Sequence, residues 1–286
     1  MLQAGAGTPA SLRPMPDPAQ PLTAVPASVP RALLLGLVAG LMSGLFGIGG
    51  GAVLVPGLVL VMGVTQHVAH ATSLAAILLT APAAAFAFAM DGSIAYAPAA
   101  AIALGSIAGA FLGASWMHRL SPVRLRQGFA VLLLMIAVRL AFPTEIVGGG
   151  GQAAIDGVRL VALLGLGLAT GVLSSIMGVG GGIIMVPALV LAFSFSQHTA
   201  EGTSLLVIVP TALMGSLRHA RHGYTDWRLG LLVGAGGVVG GLLGAQAALA
   251  LPAAWLARLF ALLVTVIAVQ LLVHNRAARL AAQDGQ

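Results

Sequence analysis

Of 286 residues, 59% are hydrophobic and only 7% charged, with mean hydropathy +1.03. A soluble domain carries about 25% charge, so this surface could not be kept wet, and apolar runs near the ~20 residues of a bilayer span make the chain a polytopic membrane protein. The net charge of +6 suggests nucleic acid at first sight, but the basic residues, all arginine, lie mostly in short loops and tails where the positive-inside rule puts them. With no cysteine, disulfides, thiol chemistry and Cys-ligated metals are excluded.

Residues 1–30 are rich in Pro and Ala and read as a disordered tail rather than a cleaved signal. Arg31 opens the first apolar run, which ends near Phe46 at the segment Gly47-Ile48-Gly49-Gly50-Gly51. An apolar piece of roughly 13 residues, too short to span comfortably, follows from Ala52 to Val64 and is expected to be broken at Pro56. The run from Gln66 to Met90 is polar at its head and apolar afterwards, and Asp91-Gly92 is a turn. A Gly-rich helix over about 94–117, a basic loop with His118, Arg119, Arg124 and Arg126, and a helix over about 123–142 close the first half. Pro143 and the glycines from Gly148 to Gly151 form a linker.

The order then repeats. The glycine segment returns 131 positions on as Gly178-Val179-Gly180-Gly181-Gly182, and its surroundings return with it in register. Val55-Pro56 recurs as Val186-Pro187, Gln66-His67 as Gln197-His198, and Thr72-Ser73-Leu74 as Thr203-Ser204-Leu205. The chain is a duplicated unit. Its parts are a tail 1–30, a first transmembrane repeat 31–142, a linker 143–157, a second repeat 158–275 and a polar tail 276–286.

Loop charge orients the halves. The loop after Met90 carries Asp91, whereas its counterpart carries Arg218, Arg221 and Arg228. The basic loop 118–126 matches a loop around Pro252 with only Arg258 nearby. Equivalent loops therefore fall on opposite sides, and the repeats are inverted. Inversion requires an odd number of crossings per half: four helices plus the short Pro-containing piece. The expected fold is all-α, with 8–10 membrane segments and both termini cytoplasmic. A plain hydropathy count gives instead eight helices in a parallel arrangement.

Irregular backbone survives in a bilayer only where protein buries it or where it lines a watery cavity. Paired broken helices in inverted halves point to a transporter's binding site, and helix N-termini favour anions. Close packing between helices is the competing explanation. It accounts for Gly105, Gly109 and Gly113, and for Gly236, Gly240 and Gly244, spaced every four residues. It accounts less well for three consecutive glycines followed by a repeated proline. The loose dinucleotide-like pattern Gly47-x-Gly49-x-x-Ala52 lacks any βαβ context, and no phosphate-cradling Gly-Lys-Ser/Thr follows.

The head of the next helix in each half is also polar: Gln66, His67, His70, Thr72 and Ser73, and Gln197, His198, Glu201, Thr203 and Ser204. Residues 66, 70 and 73 share one helical face, as do 197, 201 and 204. Glu201 is the only acid inside a predicted span and His70 is its counterpart; both are proton-coupling candidates. The plainer alternative is an interfacial helix start, with Thr65 and Ser196 as N-caps. His67 and His198 have too few convergent ligands for metal, so no metal or other cofactor is expected. No nucleophile–base arrangement or carboxylate pair suggests catalysis.

The duplicated glycine motif, the Val-Pro after it, and the Gln-His followed by Thr-Ser resemble the sulfite exporter TauE/SafE family over about residues 31–275. The resemblance implies an integral inner-membrane protein that moves sulfite, organosulfonates or related small anions, often outward. Carried over, the family's glycine motif falls on Gly47, Gly49, Gly50 and Gly51, and on Gly178, Gly180, Gly181 and Gly182. Its proline falls on Pro56 and Pro187, and its polar helix start on Gln66, His67, Thr72 and Ser73, and on Gln197, His198, Thr203 and Ser204. The expected partners are a small anion and the lipid bilayer, not nucleic acid. A passive anion channel and a non-transporting membrane subunit are the alternatives.

Overall fold

The computed structural model describes residues 28–116, 131, 133–139, 156–177, 181–221 and 223–283, with backbone alone for 113–116, 175–177 and 271–283. All regular structure among the described residues is helical. The first half holds α1 (Val29–Phe46), α2 (Gly51–Met62), α3 (Gln66–Met90), α4 (Tyr96–Trp116) and a helical stretch α5 (133–139). The second holds α6 (Gly157–Met177), α7 (Gly182–Phe193), α8 (Gln197–Ala220), α9 (Trp227–Ala250) and α10 (Ala253–Gln283). The basic loop 118–126 and most of the linker lie outside the described residues.

Among the described residues, six helices are long and apolar enough to cross a membrane: α1, α3, α6, α8, α9 and α10. The short pieces α2 and α7 have 12 residues each. At 1.5 Å per residue that is about 18 Å, little more than half of a ~30 Å hydrocarbon core. Pro56 does not break α2, contrary to expectation; both Pro56 and Pro187 lie inside continuous helices. Pro56 is the sixth of the twelve residues of α2; it removes one backbone bond, to the Ala52 carbonyl, and the turns on either side remain helical. The real discontinuity is the glycine segment itself.

The repeats are interlocked rather than side by side. Helix α1 packs on α9 of the other half, and its repeat counterpart α6 packs on α4. Small residues make this possible. A Cβ on Gly40 would stand 2.3 Å from the Gly237 carbonyl oxygen, and one on Gly240 would stand 2.1 Å from that of Leu37. Gly105 and Gly109 meet Leu164 and Leu168 in the same way. The four-residue glycine spacing is thus a helix-packing device, as expected, for the described positions 105, 109, 236, 240 and 244.

Contact register gives the direction of each helix. Gly36, Gly40 and Gly44 meet α9 successively at Val233, Gly237 and Gly241, so α1 and α9 are parallel. Gly230, Gly234 and Gly241 meet α3 at Thr72, Ala76 and Thr80, so α3 runs the same way. In contrast, Gly202 packs on Phe88 and Gly215 on Leu74, so α3 and α8 are antiparallel. Helix α8 is parallel to α4, through Thr203 at Ala95 and Thr211 at Ser106. Hence α1, α3 and α9 point one way, and their repeat counterparts α6, α8 and α4 point the other. The inverted arrangement holds and the parallel one fails. Helix α2 folds back along α1, with Gly50 beside Ala39 and Gly57 beside Leu35.

Candidate functional site

The chain leaves α1 through Gly47, whose N–H donates to the Ser43 carbonyl at 2.8 Å. Gly47, Gly49 and Gly50 have φ of 67°, 77° and 77°, a region in which side chains are strained. This left-handed path turns the backbone away from the α1 axis and starts α2 deep inside the protein. Gly49 packs against Ile208, halfway along α8. Gly182, the first residue of α7, lies against the same Ile208 and against Gly47 and Ile48. The two half-length helices therefore begin beside each other, against the first half of α8.

Neither N-terminus has a side-chain cap. In α2 the first intrahelical donors are the N–H groups of Val53 and Leu54, both to Gly50. In α7 they are those of Ile184 and Met185, both to Gly181. The preceding N–H groups, of Gly51 and Ala52 and of Gly182 and Ile183, are the orphan donors of a helix start. By contrast, α8 is capped by Ser196 Oγ and α9 by Asp226 Oδ1, accepting from Thr199 and Leu229 N–H. Thr65 stands at the N-cap position of α3 but its hydroxyl makes no capping bond, which corrects that expectation. Gly181 differs from its counterpart Gly50, with φ −64°, so the two segments are not identical in backbone. Gly178 and Gly180 lie outside the described residues.

The polar head of α8 is closed over this region. Gln197, Glu201 and Ser204 share one face, as their spacing requires. Gln197 Nε2 donates to Glu201 Oε1 at 2.7 Å, and Ser204 Oγ donates to the Gly47 carbonyl at 2.8 Å. Glu201 is fully buried, with its Cα and Cβ against Gly47. Glu201 Oε2, Gln197 Oε1 and Ser43 Oγ are buried without a hydrogen-bond partner. Polar groups in that condition are costly unless something satisfies them.

Other residues singled out from the sequence have different places. Thr72 Oγ1 accepts from Asp226 N–H at 3.2 Å, and Thr203 Oγ1 accepts from Ala95 N–H at 3.1 Å. These are repeat-equivalent contacts that tie each polar head to the start of the other half's fourth helix. Ser73 Oγ donates to the His70 carbonyl at 2.9 Å. His198 Nε2 lies 3.1 Å from the Ala248 and Leu251 carbonyls at the end of α9. Gln66 and His67 are exposed, with the His67 ring 6.0 Å from that of Tyr224, and His70 is half-buried. Pro56 is exposed and Pro187 buried. The structure thus gathers Gly47, Gly49, Gly50, Gly51, Gly182, Gln197, Glu201 and Ser204, and leaves Gln66, His67 and Pro56 outside. No group of three or more His, Cys, Asp or Glu that could hold a metal occurs among the described residues.

Ser43 is the residue that sequence reasoning passed over. An isolated serine in an apolar run carries no motif. It does recur at the repeat offset, as Ser174, and that was the available signal.

The family profile described as Sulfite exporter TauE/SafE matches residues 6–140 and 163–285, almost the whole chain and both repeats. The chain belongs to the sulfite exporter TauE/SafE family. A "Probable membrane transporter protein" of Xylella fastidiosa is 32% identical over 249 residues, covering 86% of this chain and 95% of that protein. The "Probable membrane transporter protein YunE" of Bacillus subtilis is 29% identical over 234 residues, covering 74% and 86%. No solved structure matches. With its apolar helices and inverted repeats, this TauE/SafE member is a multi-pass integral membrane protein of a transporter family.

Proposed function

We propose that this chain is a secondary transporter that exports small sulfur-containing anions such as sulfite or organosulfonates, coupled to protons through Glu201. The observation that carries the reading is the meeting of two uncapped half-helix N-termini, of α2 and α7, deep in the bundle. Orphan N–H groups and the positive end of the helix dipole favour an anion there. A low-dielectric setting strengthens that attraction. Glu201 lies against the same segment. Its second oxygen takes either a proton or a ligand, and a proton on it removes the charge that would repel an anion. His70 holds the equivalent place in α3. No nucleotide-binding motif is present, so the drive comes from an ion gradient or from the anion's own.

The same reading places the protein in a bacterial inner membrane with both termini in the cytoplasm. Arg31 at the start of α1 and Arg218, Arg221 and Arg228 around the α8–α9 turn share one face of the bundle, and Asp91 lies at the other. The positive-inside rule makes the arginine face cytoplasmic.

The test is counterflow in liposomes holding only the purified protein. They are loaded with unlabelled sulfite and given labelled sulfite outside, with sulfate and taurine as competitors. Accumulation of label is the expected result. Folded protein that gives no counterflow overturns the reading; conductance without counterflow makes it a channel, and neither makes it a non-transporting subunit.

A further inference from the structure

Ser43 is fully buried in α1, and its hydroxyl has no partner. Hydroxyls in apolar helices usually turn back onto a carbonyl of their own helix. Buried ones here do so: Thr80 Oγ1 donates to Ala76, Ser106 Oγ to Ala103, and Thr170 Oγ1 to Leu166. A serine that merely filled space between helices would be expected to follow them. Ser43 does not, and its position suggests why. It stands one turn before Gly47. A Cβ on Gly50, the residue that precedes α2, would lie 3.5 Å from Ser43 Cβ. Its hydroxyl is therefore beside the uncapped N-terminus of α2. The Ser43 oxygen accepts from none of the N–H groups there, so its O–H and the orphan amides are all left to donate. A group with several acceptor oxygens would satisfy them together. Ser174 is the repeat counterpart of Ser43 and is also buried, but the residue beside Gly181, ahead of α7, is Thr170, whose hydroxyl is bonded to Leu166.

We propose that Ser43 contacts the transported anion: its hydroxyl donates to an oxygen of an oxyanion held against the N-terminus of α2. The proposal rests on the anion-transport reading above and assigns a residue to its binding site. A hydroxyl beside paired amides suits a trigonal or tetrahedral oxyanion, whose several oxygens accept at different angles.

The experiment measures sulfite counterflow kinetics and thermal unfolding for wild type, Ser43→Ala and Ser106→Ala. Loss of one hydrogen bond to a charged ligand should raise the KM for sulfite about ten-fold in Ser43→Ala. Its unfolding temperature should be no lower than wild type, because the lost hydroxyl has no protein partner. Ser106→Ala should do the reverse, with a lower unfolding temperature and unchanged KM, because Ser106 is bonded within the protein to Ala103 and Thr211. Ser43→Ala with wild-type KM overturns the assignment, and so does a Ser43→Ala protein that unfolds. If wild type itself gives no counterflow, the anion-transport reading fails first and the assignment falls with it.

Discussion

Replacing Gly47 by alanine separates two demands that the glycine meets. The first is conformational. Its φ is 67°, and a side chain in the left-handed region costs about 1–2 kcal/mol. The second is close approach. The added Cβ would stand 2.6 Å from Glu201 Cα, 2.8 Å from Glu201 Cβ and 2.9 Å from the Glu201 carbonyl oxygen. None of these is the far end of a flexible side chain, so α8 must move, and overpacking of that kind costs about 1–3 kcal/mol. Gly47→Ala should therefore cost roughly 2–5 kcal/mol in all. Gly63 is the control, with φ 69° and nothing within 4 Å of an added Cβ. Gly63→Ala should show the conformational cost alone, about 1–2 kcal/mol. Reversible unfolding of both variants in mixed micelles measures the difference. Equal losses would refute the packing of the glycine segment on Glu201, and with it the buried site.

Glu201→Gln can still hydrogen-bond to Gln197 but cannot exchange a proton. It should retain counterflow at equal pH on both sides and lose stimulation by a pH gradient; a variant that keeps the full gradient dependence removes Glu201 as the coupling group. Thr203→Val should lower stability by about 1–3 kcal/mol, since it leaves the Ala95 N–H without its acceptor. Thr72→Val should do the same through Asp226. Urea or SDS titration of the two variants checks this, and an unchanged midpoint for either would show that the contact contributes nothing.

Much of the fold was legible. The run from Gln66 to Met90 was bounded by a polar head and an Asp-Gly turn, and α3 has those limits. The charges of Asp91 and the α8–α9 arginines gave the inversion that helix register now supports independently. The exchange of α1 and α6 between halves was not legible. It depends on contacts between Gly40 and Gly237, about 200 residues apart, and periodicity speaks only of neighbours. For the site, local spacing correctly paired Gln197 with Glu201. It could not distinguish the buried Gln197 from the exposed Gln66, because a repeat presents both copies as equal and only tertiary structure separates them. Nor could it tell that the Thr72 and Thr203 hydroxyls were already engaged by backbone amides. The proline signal misled: Pro56 and Pro187 each stand sixth in a twelve-residue helix and cost it one backbone bond without interrupting it.

The exchange of first helices has a consequence for how the chain is made. Synthesis runs from the N-terminus, so α1 enters the bilayer long before α9 exists. Its glycine row then has only lipid or the helices between α1 and α9 to touch. Helix α6 finds α4 already waiting, and so the second half can assemble as it emerges. The first half remains unfinished until the ninth helix arrives. A nascent chain halted in the linker is an open shell, and the two halves made as separate polypeptides would need each other to become stable.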